Sequence, residues 1–393
     1  MRRYGLLLIM SLLLVVVIQA QTEADWEVPL YTTEGIQVVT AEGIEYIIPL
    51  PEAQPKYIFG TSGYKSSLLS PDYRYLVKGG NPDYDSAHSE SKIYITDLEA
   101  GTCCIEVESP IGDGFTFLTL GVFNPEITQF TAAVTTSGET EEDRVDLMLV
   151  IDVQTGMILR QLDPKRLFNG AREVIFISWD AEGVRLVPIG DSGLGWREDT
   201  FAYIWDIDTD EVRRDETYYG GLEGEYLSAT GEYLRYNNRP RFATSGNVSP
   251  YNSIELITSN DVVNVREILR YPDDGPAITP HWVLDGTGYL LMPAGNDYKL
   301  IMRDGRIIDI PRVGNNARFI AGTPDGWIIG TRETGTDRLL PSGLYHITMP
   351  DERIVVTEIA PYDGGVPLRV PDMGTRAIGV DMMRTELDLN GAP

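Results

Sequence analysis

The chain has 393 residues, 42 % of them hydrophobic and 23 % charged, with 39 Gly, 24 Pro and 21 Tyr. That length suits two or three ordinary domains or one large closed all-β domain, and the composition argues against a disordered chain. With 59 acidic and 32 basic residues the formal charge is −27. Nucleic-acid binding depends on neutralising phosphates with Lys and Arg, so no nucleic-acid partner is expected.

The first element is apolar. Residues 1–21, MRRYGLLLIMSLLLVVVIQAQ, carry Arg2 and Arg3, then an apolar run from Leu6 to Ile18, then Gln19-Ala20. That order is the pattern of a secretory signal peptide. As a helix the run would reach only about 20 Å, short of a hydrocarbon core of about 30 Å. An uncleaved anchor is the alternative. Residues 1–20 are therefore expected to leave, taking two Arg and moving the charge from −27 to −29. The expectation is an exported chain, periplasmic, extracellular or at the cell surface. No later run is long enough to span a membrane. Residues 21–35 read as a linker, and IQVVTAEGIEYIIPL (36–50) as two strands around Glu42-Gly43.

From there a unit recurs. SPDYRYLV begins at Ser70, NPEITQFTAAV at Asn124, DAEGVRLVPI at Asp180, SATGEYLRY at Ser228, DGTGYLLMP at Asp285, TPDGWIIG at Thr323 and VPDMGTRAIGV at Val370. Each is a turn-forming group followed by an apolar and aromatic strand. The third turn positions, 72, 126, 182, 230, 287, 325 and 372, lie 38 to 57 residues apart. After each of the first six comes a second strand, in most copies closed by an acidic or Gly-containing turn: IYITDLEAG (93–101), LMLVIDVQTG (147–156), AYIWDIDTD (202–210), IELITSND (254–261), YKLIMRDG (298–305) and LYHITMPDE (344–352). Each interval thus holds four antiparallel strands, which is a propeller blade. The last copy is truncated, and residues 36–50 can complete it, because a ring leaves no sheet edge open. The predicted fold is an all-β propeller of seven four-stranded blades, six or eight being the alternatives, with both chain ends sharing the last blade. The domain spans 36–385, with a tail at 386–393.

Ser70-Pro71-Asp72 and Thr323-Pro324-Asp325-Gly326, each before an apolar strand, resemble the turn of TolB-like β-propellers, within the wider WD-repeat-like group. IYITDLEAG and LVIDVQTG are similar to that family's third strand and turn. Gly-His and Trp-Asp pairs do not recur as a series; Trp205-Asp206 stands alone. The fourth turn position is Gly183, Gly231, Gly288 and Gly326 in four copies but Tyr73 and Ile127 in two. A bulky residue at positive φ is strained, so the turn at Tyr73 is expected to avoid positive φ and to differ in shape from the glycine turns.

The resemblance implies that the first turns lie on one face and the loops between second and third strands on the other. Those loops are long, AGND (294–297) excepted, and they carry Tyr84, Asp85, His88, Trp196, Arg197, Arg239, Arg241, Phe242, Arg332 and Arg338. Aromatic and Arg side chains are common interface anchors, and loops on a rigid scaffold are where binding concentrates. The leading reading is a non-catalytic, monomeric binding scaffold for a protein, peptide or glycan. The alternative is a propeller enzyme of lyase or lactonase type, with carboxylates or a metal at the central channel.

Catalytic motifs are weak. GDSG (190–193) matches the peptide around a protease nucleophile, but no partner His motif accompanies it, and the match falls in a blade loop. His88, His281 and His346 lie far apart and show no zinc spacing. The acidic runs around Asp83, Asp85 and Glu90, and around Glu139 to Asp143, lack an EF-hand spacing, so no cofactor is expected and calcium is the one metal they could attract. Cys103 and Cys104 are adjacent. Neighbours on a strand point to opposite faces, which leaves two thiols or, in an oxidising compartment, a vicinal disulfide.

Overall fold

A computed structural model of the chain describes residues 26–368 apart from 33, 52–66, 81–91, 109, 111–116, 136–144, 169–170, 191–200, 220–223, 228–231, 238–250, 261, 273–279, 292–297, 312–316, 332–340, 351–352 and 363–365. The chain enters as β1 (Val28–Tyr31), β2 (Ile36–Thr40) and β3 (Gly43–Ile48). Next come β4 (Ser67–Leu69), β5 (Tyr75–Gly80), β6 (Lys92–Asp97) and β7 (Thr102–Val107). Then follow β8 (Phe117–Phe123), β9 (Gln129–Thr135), β10 (Asp146–Asp152) and β11 (Ile158–Leu162). A single helical turn, Pro164–Leu167, leads to β12 (Ala171–Asp180), β13 (Gly183–Gly190), β14 (Phe201–Trp205) and β15 (Val212–Tyr219). The chain continues as β16 (Gly224–Leu227), β17 (Glu232–Asn237), β18 (Tyr251–Asn260) and β19 (Val262–Pro272). After these come β20 (Pro280–Val283), β21 (Gly288–Leu291), β22 (Tyr298–Met302) and β23 (Ile307–Ile310). The remaining strands are β24 (Arg318–Thr323), β25 (Gly326–Thr331), β26 (Gly343–Thr348), β27 (Val355–Ala360) and β28 (Val366–Pro367).

Six consecutive groups of four, from β4 to β27, each form an antiparallel sheet in simple order. A further sheet runs β28-β1-β2-β3, with Leu30 opposite Pro367 and Tyr31 opposite Val366. The fold is a β-propeller. The sheet that joins the ends is built differently from expectation. β1 falls inside the stretch 21–35 read as a linker, and its four residues are all buried. It takes the second position of its sheet, so the N-terminal segment supplies three strands and β28 one. A run of only four residues, one of them Pro29, carries too little periodicity to be recognised as a strand.

Burial explains the strand sequences. β25, GWIIGT, is buried along its whole length, and β26 nearly so. A strand covered on both faces by neighbouring blades reads as a continuous apolar run, not an alternating one. The fourth strands are mostly exposed, as in β3 and β27. The core lies between sheets. Leu68, Val77 and Ile95 pack on Phe123, Phe130 and Val134, while Val122, Met148 and Val150 pack on Phe176, Val184 and Leu186. Trp26, Val28 and Leu30 meet Ile320, Ile328 and Leu344. On its other face the same sheet meets the first complete blade, where Tyr31 and Ile36 join Leu69 and Leu76. The sheet that unites both chain ends is therefore wedged between the first and last four-stranded groups.

The expectation for Tyr73 fails. Tyr73 has φ 60° and Ile127 φ 56°, both left-handed. Of the glycines at the same position, Gly183 has φ 126°, whereas Gly288 and Gly326 do not take positive φ, and Gly231 lies outside the described residues. Gly326 is needed for space: a Cβ there would overlap the Ile347 carbonyl oxygen. The bulky residues are held by two gains. Both pack on core clusters, Tyr73 beside Leu69 and Leu76, and Ile127 beside Phe130. Both side chains are half-buried, and that partial burial offsets the cost of about 1–2 kcal/mol for the left-handed backbone. The turn is also fully bonded. Tyr73 N donates to Ser70 O at 2.9 Å and Tyr75 N to Ser70 Oγ at 2.8 Å. In the next blade Ile127 N donates to Asn124 O at 2.9 Å, and Asn124 Oδ1 accepts from Thr128 N and Gln129 N, each at 2.8 Å.

Candidate functional site

In a four-stranded meander the first and third connections share one end and the second lies at the other. On one end the first turns are short: 70–74, 124–128, 181–182, 228–231, 284–287 and 324–325. On the other end the second-to-third connections are longer: 81–91, 136–145, 191–200, 238–250, 292–297 and 332–342. All ten residues singled out for binding, Tyr84, Asp85, His88, Trp196, Arg197, Arg239, Arg241, Phe242, Arg332 and Arg338, belong to these connections and lie outside the described residues. The described strand ends that flank these segments lie at the same end of their sheets.

The strand ends beneath are described, and they hold a feature that sequence reasoning missed. Lys78, near the end of β5, is only 5 % exposed. Its Nζ donates to the Tyr31 hydroxyl at 3.0 Å and sits 4.2 Å from that ring's centre. Tyr31 ends β1, so two neighbouring blades meet here at the loop end. Burial pushes the amine down from 10.5 to about 7 and pushes the Tyr31 phenol up. An amine so placed is divided between its charged and neutral forms near neutral pH, and its hydrogen bond to Tyr31 ties the two blades together. The signal was present as one Lys in the apolar run YLVKGG, but a lone Lys in a strand usually snorkels to solvent. Here Tyr31 of the neighbouring blade packs on it. The end of the connection between β25 and β26 is anchored: Thr331 Oγ1 and Tyr345 OH both donate to Pro341 O, at 2.5 and 3.1 Å.

The outer rim carries a cleft of about 460 Å³ between the β4–β7 sheet and the β10–β11 turn. Arg74 and Asp97 stand in one wall, paired at 3.0 Å. Burial pulls the Asp97 carboxyl up, but the Arg74 hydrogen bond and the Ala100 backbone N–H outweigh it and hold it below its ordinary value. Cys103 and Cys104, on β7, both line this cleft, and their sulfurs lie in bonding contact. Thr96 Oγ1 lies 3.6 Å from Cys104 Sγ and 3.9 Å from Cys103 Sγ. The strand rule that sends neighbours to opposite faces does not hold at this pair.

One group brings a hydroxyl, an imidazole and a carboxylate together, but both contacts fall on one imidazole nitrogen, which is not the arrangement of a hydrolytic triad. Thr323 Oγ1 lies 3.0 Å from His346 Nε2, and His346 Nε2 lies 3.2 Å from Asp325 Oδ1. Thr323 is 2 % exposed, and His346 is covered by Trp26 in an edge-on contact. Burial lowers the His346 pKa against the opposing pull of Asp325. A neutral His sealed beneath an indole clamps the β24–β25 turn; a hydroxyl without access to substrate is not a nucleophile. GDSG begins at Gly190, the last residue of β13, and residues 191–193 lie outside the described set. Among the described residues no three His, Cys, Asp or Glu side chains are grouped to hold a metal ion.

No protein-family model and no curated protein matches the chain. Solved structures do. An acylaminoacyl peptidase from Pyrococcus horikoshii is 15 % identical over 86 % of this chain, with TM-score 0.45, and this chain spans 54 % of its length. The β-propeller domain of the Trilobed protease from Pyrococcus furiosus is 14 % identical, over 84 % of this chain and 87 % of that one, with TM-score 0.44. The RRP9 WD40 repeats are 15 % identical, over 81 % and 88 %, with TM-score 0.43. At this level of likeness nothing about activity transfers, and the description of the fold rests on the sheet topology given above.

Proposed function

We propose that this chain is an exported, non-catalytic β-propeller of TolB-like type that binds a protein, peptide or glycan through its loop end. The observation that carries the reading is the contrast between the two ends. Turns such as 70–74 and 124–128 close one end with internal hydrogen bonds, while the strand ends opposite are joined by longer connections whose sequences carry Arg and aromatic residues. Packed sheets supply rigidity, and connections held on a rigid frame supply recognition at low entropic cost. Export is supported by the charged and apolar pattern of residues 2–20.

The test is a comparison of two variants on peptide and glycan arrays. One replaces Arg239, Arg241 and Phe242 with Ala; the other replaces Arg213 and Arg306, at the turn end, with Ala. The loop variant should lose at least tenfold in affinity for any ligand found, with an unchanged melting midpoint. Equal loss in the turn variant, or no loss in the loop variant, would refute the reading. The mass of the protein recovered from its export host checks removal of residues 1–20.

A further inference from the structure

The rim cleft has no part in loop-end binding, and its two sulfurs are unusual in their placement. Adjacent residues of a regular strand cannot both face one side, yet Cys103 and Cys104 both line the same cleft and both are half-buried, not sealed. A disulfide is opened by a thiolate that approaches one sulfur along the line of the bond, so access decides whether it exchanges at all. Here access is built in: the cleft is open on the rim and offers about 460 Å³ beside the sulfurs. The buried Thr96 hydroxyl, within sulfur hydrogen-bonding distance of both, can donate to whichever thiolate leaves. Thr96 belongs to β6, the strand paired with β7, so the donor is held by the sheet and not by a loop.

We propose that Cys103 and Cys104 form a reversible dithiol–disulfide site that exchanges with small-molecule thiols through the rim cleft. A thiolate of the small thiol attacks one sulfur, a mixed disulfide forms, and the other cysteine leaves as a thiolate that takes up a proton. A second small thiol then attacks its own sulfur in the mixed disulfide and releases the remaining cysteine. Two small thiols are oxidised to one small disulfide as the protein pair is reduced to two thiols. The reverse reaction closes the pair again and needs only an oxidised small disulfide. The cleft wall, with Arg74 and Asp97 on one side and Val153 and Gln154 on the other, changes from one fused sulfur pair to two separate thiols.

The experiment uses the full chain under native conditions. The protein is equilibrated with glutathione mixtures from fully oxidised to fully reduced, quenched with iodoacetamide and analysed by peptide mass spectrometry. The expected result is no alkyl group on the Cys103–Cys104 peptide in oxidised glutathione, two in excess reduced glutathione, and return to none on reoxidation. Cys104→Ser should carry one glutathione on Cys103, and Cys103→Ser one on Cys104. A pair that stays closed in reduced glutathione until denaturant is added would overturn the proposal. So would two alkyl groups after equilibration in oxidised glutathione, or single variants that take up no glutathione. Circular dichroism of each variant shows whether the sheet structure is retained, and the wild-type titration stands without the variants.

Discussion

The two ends of the propeller solve opposite problems with the same strands. At the turn end the chain satisfies itself. Ser70 and Asn124 cap the strands that follow them, and the carboxylates of Asp152 and Asp206 accept backbone N–H groups of their own turns. Gly101, Gly156 and Gly305 supply left-handed residues in the second turns, and Asp210 does so in the third blade. At the loop end Lys78 is buried between two blades, on the strand that leads into residues 81–91. A face whose polar groups are consumed by its own turns has little left to offer a partner. At the other end a side chain of opposite sign is buried where two blades meet, so burial and not turn bonding shapes the strand ends there.

The largest effect that would test this contrast is at Lys78. Its folded-state pKa, about 7, lies below the ordinary 10.5, so the unfolded chain binds more protons between those values and stability rises with pH across that window. Lys78→Met removes the dependence. The stability difference between variant and wild type should shrink by about 1.4 kcal/mol per pH unit at its steepest from pH 7 to 10.5. Parallel denaturation curves over that range would show that burial does not govern this amine.

At the turn end, Gly326→Ala drives a methyl group into the Ile347 carbonyl and should destabilise by about 3 kcal/mol in urea unfolding. A change below about 0.5 kcal/mol, the scale of neutral surface substitutions, would mean that the turn has room to move. Asn124→Ala strips two backbone N–H groups of their acceptor and should cost about 2 kcal/mol, with loop-end binding untouched. Loss of ligand binding in that variant would join the two ends that this comparison separates. The smallest effect is a gain. Asp210 is exposed and left-handed at φ 58°, where the matching positions of the first, second and fifth blades hold Gly101, Gly156 and Gly305. Asp210→Gly should stabilise by about 0.5 kcal/mol, the relief of backbone strain being partly offset by a more flexible unfolded chain.

The alternation of turn groups and apolar strands was enough to read four strands per unit, because each blade is a local meander whose turns obey local rules. The cap residues Ser70 and Asn124 and the second-turn glycines were visible for the same reason. β1 was hidden in a supposed linker, since a strand of four residues has too short a pattern. Tyr73 was misjudged because its backbone was weighed without the core cluster that receives its ring. Lys78 and the shared cleft of Cys103 and Cys104 were unreadable for one common cause: what matters about them is set by groups distant in sequence or by a departure from strand geometry. By itself the sequence determined the repeat, the strand order within each unit and the acidic charge. The tertiary structure alone decided which strand completes the end-joining sheet, which amine loses its water and which sulfurs share a cleft. Turns are governed by residues three or four apart, whereas burial depends on neighbours that only the packed blades bring together.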